Sequence, residues 1–274
     1  MNQPTPTSNG NIFFKSAWLH PSRLLTLLVL VVSLSATYLL WKYEQQNARQ
    51  ELQAEFDFRV RVATSRIELR MQAYEQVLRG VAGLFTHASS VTRQEFRNYF
   101  DRLHLEDNYP GFQGLAFLPI VPADQINRHI AAIRKEGFSE YAIKPEGRRE
   151  IYAPVVYIEP FSGRNLQAFG HDPYSDPVRR IAMETARDHN HAAISGKIKQ
   201  LQESEHNVQS GFMMYLPIYN NGAPHESLAD RRTNIAGWVS APFRMNDLCP
   251  DSSTHNLRSS ILKSMMTRQC LNTH

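Results

Sequence analysis

Asp172, Asp176, Arg179 and Arg180 cluster at the start of a helix-forming stretch. Two chemistries are open to them. The carboxylates suit capping, because an Asp at a helix N-terminus accepts from orphan amides and favours the dipole. Arg179 suits recognition, because a guanidinium presents five donors in a fixed fork that matches a carboxylate or a phosphate. Its alternative is an ion pair along the helix with Asp176 or Glu184. Further on, Met213 and Tyr215 alternate with Phe212, Met214 and Leu216. One face of such a strand is core and the other can line a cavity, and alternation does not say which.

Catalytic groupings are weaker. Asp188, His189 and His191 invite a metal, but the histidines stand apart at a helix end and no Glu follows at ligand spacing, so solvated loop residues are the simpler reading. Cys249 and Cys270 form no zinc pattern with His. There is no Gly-x-Ser-x-Gly elbow and no phosphate loop. Ser195 has no visible base, and Glu203 and Glu205 lie in a charged hairpin. A hydrolase would need a nucleophile and base in one cleft, with His171 or Asp172 the place to look. No catalytic residue, metal or cofactor is assigned, and the chain is not read as an enzyme.

The elements that must position these residues begin with an apolar run, Leu24 to Leu40, between Arg23 and Lys42. With Trp41 it can just cross a bilayer, which takes about 20 apolar residues. Its few hydroxyls can bond back to helix carbonyls. Ser33-Leu34-Ser35-Ala36 is a passable signal-cleavage site, but the run continues past it to an interfacial Trp. Lys15 and Arg23 without an acid suit a cytoplasmic start. The expected plan is a cytoplasmic tail (1–22), a transmembrane helix (23–41), a stalk helix (42–86), a sensor domain (87–248) and a tail (249–274). That is a single-pass protein of the inner (cell) membrane, with its domain periplasmic or extracellular.

Across the stalk, Leu52, Phe56, Val60, Ala63, Ile67, Met71, Tyr74, Leu78, Val81 and Phe85 recur at steps of three or four, as on one helix with one apolar stripe. About forty residues would extend about 60 Å. The stripe can pack on its own domain or pair with a second copy near the membrane, and a homodimer through the stalk is expected.

From Ser90 onward the pattern predicts an α+β domain, with a few helices laid on an antiparallel sheet. Ser90 or Thr92 caps a helix to Leu103, and a second helix runs from Pro122 to Lys135. Strands are predicted at 113–121, 140–144, 150–158, 166–170, 192–201, 212–219 and 235–243, with a helix at 178–187 and a polar loop at 220–234. The net charge of +4 has no concentrated basic face, so nucleic acid is not a partner.

Six blocks in this domain resemble the CHASE domain, the extracytoplasmic sensory module of receptor histidine kinases and nucleotide and diguanylate cyclases. They are Tyr109 to Leu115, Tyr152 to Pro160, Gly170 to Arg180, Ala193 to Gly196, Gly211 to Tyr219 and Gly237 to Arg244. The resemblance implies a long stalk helix carrying PAS-like domains, a small-molecule pocket, a second membrane span and a cytoplasmic output module. In hormone-binding plant members an Asp on the helix and a Thr on the central strand contact an adenine-type ligand. Their matches here are Arg179 and Tyr215, which argues for a different ligand, a carboxylate or phosphate. The candidate ligand-binding set is Arg179, Tyr215, Asp172, Met213 and Met183.

After Leu248 the chain turns Ser/Thr/Asn-rich, and 249–274 is read as a truncated or frame-shifted end with the output module missing. The leading function is a membrane-anchored sensor that binds a small molecule for transmembrane signalling. The alternatives are a non-sensing dimeric partner of full-length receptors and a membrane-anchored hydrolase.

Overall fold

The computed structural model describes residues 21–87, 91–105, 109, 111–196, 198–199 and 210–244. The chain divides into two compact units at Val60/Arg61. Helix α1 (Pro21–His87) contributes to both.

In the first unit α1 presents Leu25, Leu28, Val32, Leu39 and Trp41 exposed around its circumference. Such a surface is penalised in water and favoured in lipid. Ser33 Oγ donates to Leu30 O and Thr37 Oγ1 to Ser33 O, so the hydroxyls of this stretch are satisfied within the helix. The stretch is long and apolar enough to cross a membrane.

The second unit is an antiparallel sheet with flanking helices. Its strands are β1 (Leu115–Pro119), β4 (Tyr157–Glu159), β5 (Ala193–Ile194), β6 (Ile198–Lys199), β7 (Ser210–Tyr219) and β8 (Ile235–Arg244). Their order is β4-β1-β8-β7-β5, and β6 also pairs with β7. A separate pair joins β2 (Val121–Pro122) to β3 (Ile151–Tyr152).

Alternation assigns the two faces. Phe212, Met214 and Leu216 of β7 and Val239, Ala241 and Phe243 of β8 share one core with Ile67, Met71, Tyr74, Leu78 and Val81 of α1. The Tyr74 ring stacks on Phe243 at 4.6 Å between centroids. Helix α2 (Arg93–Leu103) adds Phe96 to this core. It starts with a reciprocal capping box between Thr92 and Glu95, worth about 1 kcal/mol.

The opposite face carries Ala116, Leu118, Tyr215 and Trp238, packed against Ala182, Met183 and Ala186. Those three belong to α4 (Pro177–His189). A third cluster joins Ile133 of α3 (Ile126–Lys135) to Val121, Tyr141, Ile143, Tyr152 and Val156. Arg93 ties this lobe to α2. It donates to Val156 O at 2.8 Å, pairs with Glu136 at 3.1 Å and lies over the rings of Phe138 and Tyr157.

Several predicted strands fold otherwise. Residues 140–144 form no strand; Lys144 only bridges to His171. Residues 153–156 leave the ladder, because Pro154 supplies no amide there. Their amides are satisfied elsewhere, Val155 N by His171 O and Val156 N by Phe117 O. The 166–170 stretch falls largely in a 3₁₀ turn, Gly163–Ala168. The 220–234 loop contains helix α5 (Leu228–Thr233), started by a capping box of Ser227 and Asp230. The 201–209 hairpin and the 249–274 tail lie outside the described residues.

Candidate ligand cavity

The second face of the sheet does not close fully. Register places Ala116, Ser240 and Tyr215 in one row across β1, β8 and β7, and Met213 opposite Pro242. Above Met213, Ser240 and Pro242 lies a cleft of about 40 Å³. Val155, Ile158 and Ala168 make its apolar wall, and Asn165, His171 and Arg179 bring polar groups to it.

Arg179 is held in place by α4. Asp176 caps the helix by accepting from Val178 N, Pro177 fills the first turn, and Arg179 follows. A cation in the first turn opposes the helix dipole, and burial of a guanidinium is unfavourable in its own right. Arg179 is nonetheless only 7% exposed. Asp176 Oδ2, 3.4 Å from Arg179 Nε, offsets part of the charge. The Tyr215 hydroxyl, buried beside it, has no hydrogen-bond partner among the described residues, and burial pushes that phenol well above its ordinary range against the pull of Arg179.

His171 is neutral. Burial, and then repulsion from Arg179, pull its pKa down to about 4 against the attraction of Asp176. Ser240 was not singled out from sequence. It is 1% exposed, and its Oγ has no hydrogen-bond partner among the described residues. The only signal was a small polar residue between Val239 and Ala241 in an apolar strand.

The sequence-derived candidates therefore separate. Arg179 and Met213 line the cavity. Tyr215 is fully buried on the same face. Met183 is fully buried under Trp238, whose Nε1 donates to Met183 O at 2.9 Å. Asp172 is fully buried and does not line the cavity. Its Oδ1 accepts from Ala153 N and Tyr174 N, and Oδ2 lies 3.2 Å from Arg149 Nε. It ties the loop before α4 to the 149–153 segment.

Ser195 lies beside β5, donating to Gly196 O and accepting from Met213 N. His189 and His191 stack at 5.6 Å, and their Nδ1 atoms are near the carbonyls of Thr185 and Ala192. Among the described residues no group of three His, Cys, Asp or Glu could hold a metal.

The architecture is an apolar N-terminal helix followed by a helix-flanked antiparallel sheet with a cleft bordered by Arg179. Residues 89–266 match the CHASE domain, and the chain belongs to that family. The match continues past Leu248. No curated protein matches the sequence. Among solved structures, the chain is similar to the ligand-binding domain of the Pseudomonas aeruginosa PAO1 amino acid chemoreceptor PctC in complex with GABA. That likeness has a TM-score of 0.40 and 10% identity, and covers 68% of this chain and 61% of that one. The chain thus spans less than two thirds of that structure's length.

Proposed function

We propose that this chain is a membrane-anchored sensor whose CHASE domain binds a small anionic molecule in the cleft between the sheet and α4. The observation that carries the reading is Arg179. It is a buried cation on the cleft wall, at a helix position that disfavours cations. Local rules are broken in this way where function requires it. Binding would favour one of two arrangements of the cleft by the difference in its affinity for them.

The wider reading keeps the membrane helix, the stalk and the sensor domain of the plan given above, with the CHASE domain reaching residue 266. The N-terminus is cytoplasmic, one span lies in the inner membrane, and a PAS-like sensor domain stands outside it. Two copies pair through the stalk. The exposed apolar residues Leu52 and Phe56, one turn apart on the stripe of α1, support the pairing.

Titration calorimetry of the full chain in detergent, against carboxylates and inorganic phosphate, tests the binding claim. The wild type is expected to give saturable heat that Arg179→Met abolishes. Absence of heat with every anion, or full retention in the variant, would sink it.

A further inference from the structure

We infer that the cleft selects a short-chain aliphatic monocarboxylate, of two to four carbons, over phosphate, amino acids and longer acids. This rests on the anion-sensing reading and narrows it. Five observations converge. The positive group on the cleft wall is a single guanidinium, and Asp176 already compensates part of its charge. A monoanion leaves less uncompensated negative charge there than a dianion would.

No Asp or Glu lines the cleft among the described residues. An amino acid would therefore bury its ammonium without a partner, at a large desolvation cost. The wall of Ala116, Val155, Ile158, Ala168 and Met213 suits an alkyl tail. The space, about 40 Å³, is of the order of a few water-sized groups and limits the alkyl tail to a few carbons. Longer chains need a wider cleft.

Ser240 completes the recognition. Its hydroxyl is buried, lines the cleft and lacks a partner among the described residues. An unmade hydrogen bond of this kind is costly in the empty state and is satisfied when a carboxylate oxygen accepts from it. Arg179 then carries the charge, Ser240 Oγ donates the second bond, and His171 remains neutral beside them. The tail runs along Met213.

The experiment is a competition-free panel on the full chain in detergent, read by calorimetry and thermal shift: acetate, propionate, hexanoate, glycine and inorganic phosphate. Propionate is expected to bind at least tenfold more tightly than glycine, phosphate or hexanoate. Ser240→Ala is expected to weaken propionate about tenfold. Met213→Ala is expected to move the optimum toward hexanoate, a change of preference that a merely structural role would not produce.

If phosphate or glycine binds and no monocarboxylate does, this inference is overturned while the anion-sensing reading stands. If no anion binds, both are overturned. Unchanged propionate affinity in Ser240→Ala, together with an unchanged chain-length profile in Met213→Ala, overturns the assignment of the cleft as the selecting site.

Discussion

Acidification should destabilise this protein through His171, by an amount that can be worked out. An unfolded histidine takes its proton as pH falls through its ordinary 6.5, whereas burial and Arg179 hold the folded ring neutral down to about 4. Between those values the unfolded state binds more protons, so stability is present above 6.5 and declines as pH falls toward 4. At about 1.4 kcal/mol per decade of proton affinity, lowering pH from 7 to 5 removes at most about 2 kcal/mol. The ring borders an open cleft, and solvent screening brings this to about 1 kcal/mol. For a domain of this size that is a loss of about 2–4 °C in melting temperature.

The comparison is wild type against His171→Gln, by circular dichroism in a neutral detergent at fixed ionic strength. Asp172, whose carboxyl burial raises above its ordinary range, contributes with the opposite sign. It is common to both proteins, so the difference isolates the ring. The variant should lose less stability than wild type between pH 7 and 5, by the amount just given. Parallel pH profiles in the two proteins would refute the burial of a neutral ring.

Asp172→Ala should cost about 3–5 kcal/mol, because it leaves Arg149 and the amides of Ala153 and Tyr174 unmatched; chemical denaturation reads the loss. Arg93→Lys should cost about 1–2 kcal/mol in the same assay, since an ammonium cannot both reach Val156 O and Glu136 and lie flat over Phe138. Gly170→Ala should lower the midpoint by about 1–3 kcal/mol, because φ is 77° there and a Cβ would collide with the carbonyl of Ala142.

The sheet's long strands were legible because 212–219 and 235–243 are apolar runs of strand length set off by turn residues such as Asn220 and Asn234. The cap of α2 was legible because Thr92 and Glu95 stand at capping-box spacing. Ser227 and Asp230 carry the same signature with the shorter acid, and it went unread inside a polar loop. Residues 140–144 and 153–156 misled because Ile143 and Val156 pack into a lobe held by Arg93 rather than into a ladder.

At the site, Arg179 stood out as a charge at a helix start, and Met213 as a strand residue of unassigned face. Which face opens depends on where α1 and α4 dock, and a period of two does not contain that information. Asp172 has the residue type of a ligand-binder, and its role as a tie appears only when Arg149 and Ala153 are brought beside it. Ser240 was invisible for the same reason, since an unpartnered hydroxyl is a property of three-dimensional surroundings.

Hydrogen–deuterium exchange on the full chain, with and without saturating propionate, locates the binding event without any substitution. Protection should rise in the backbone of 163–183 and 211–216, the segments around Arg179 and Met213, and stay constant in Ile126–Lys135. Unchanged exchange in both cleft segments, or protection confined to α3, would place the ligand elsewhere and remove the basis for reading this cleft as the sensor's receiving site.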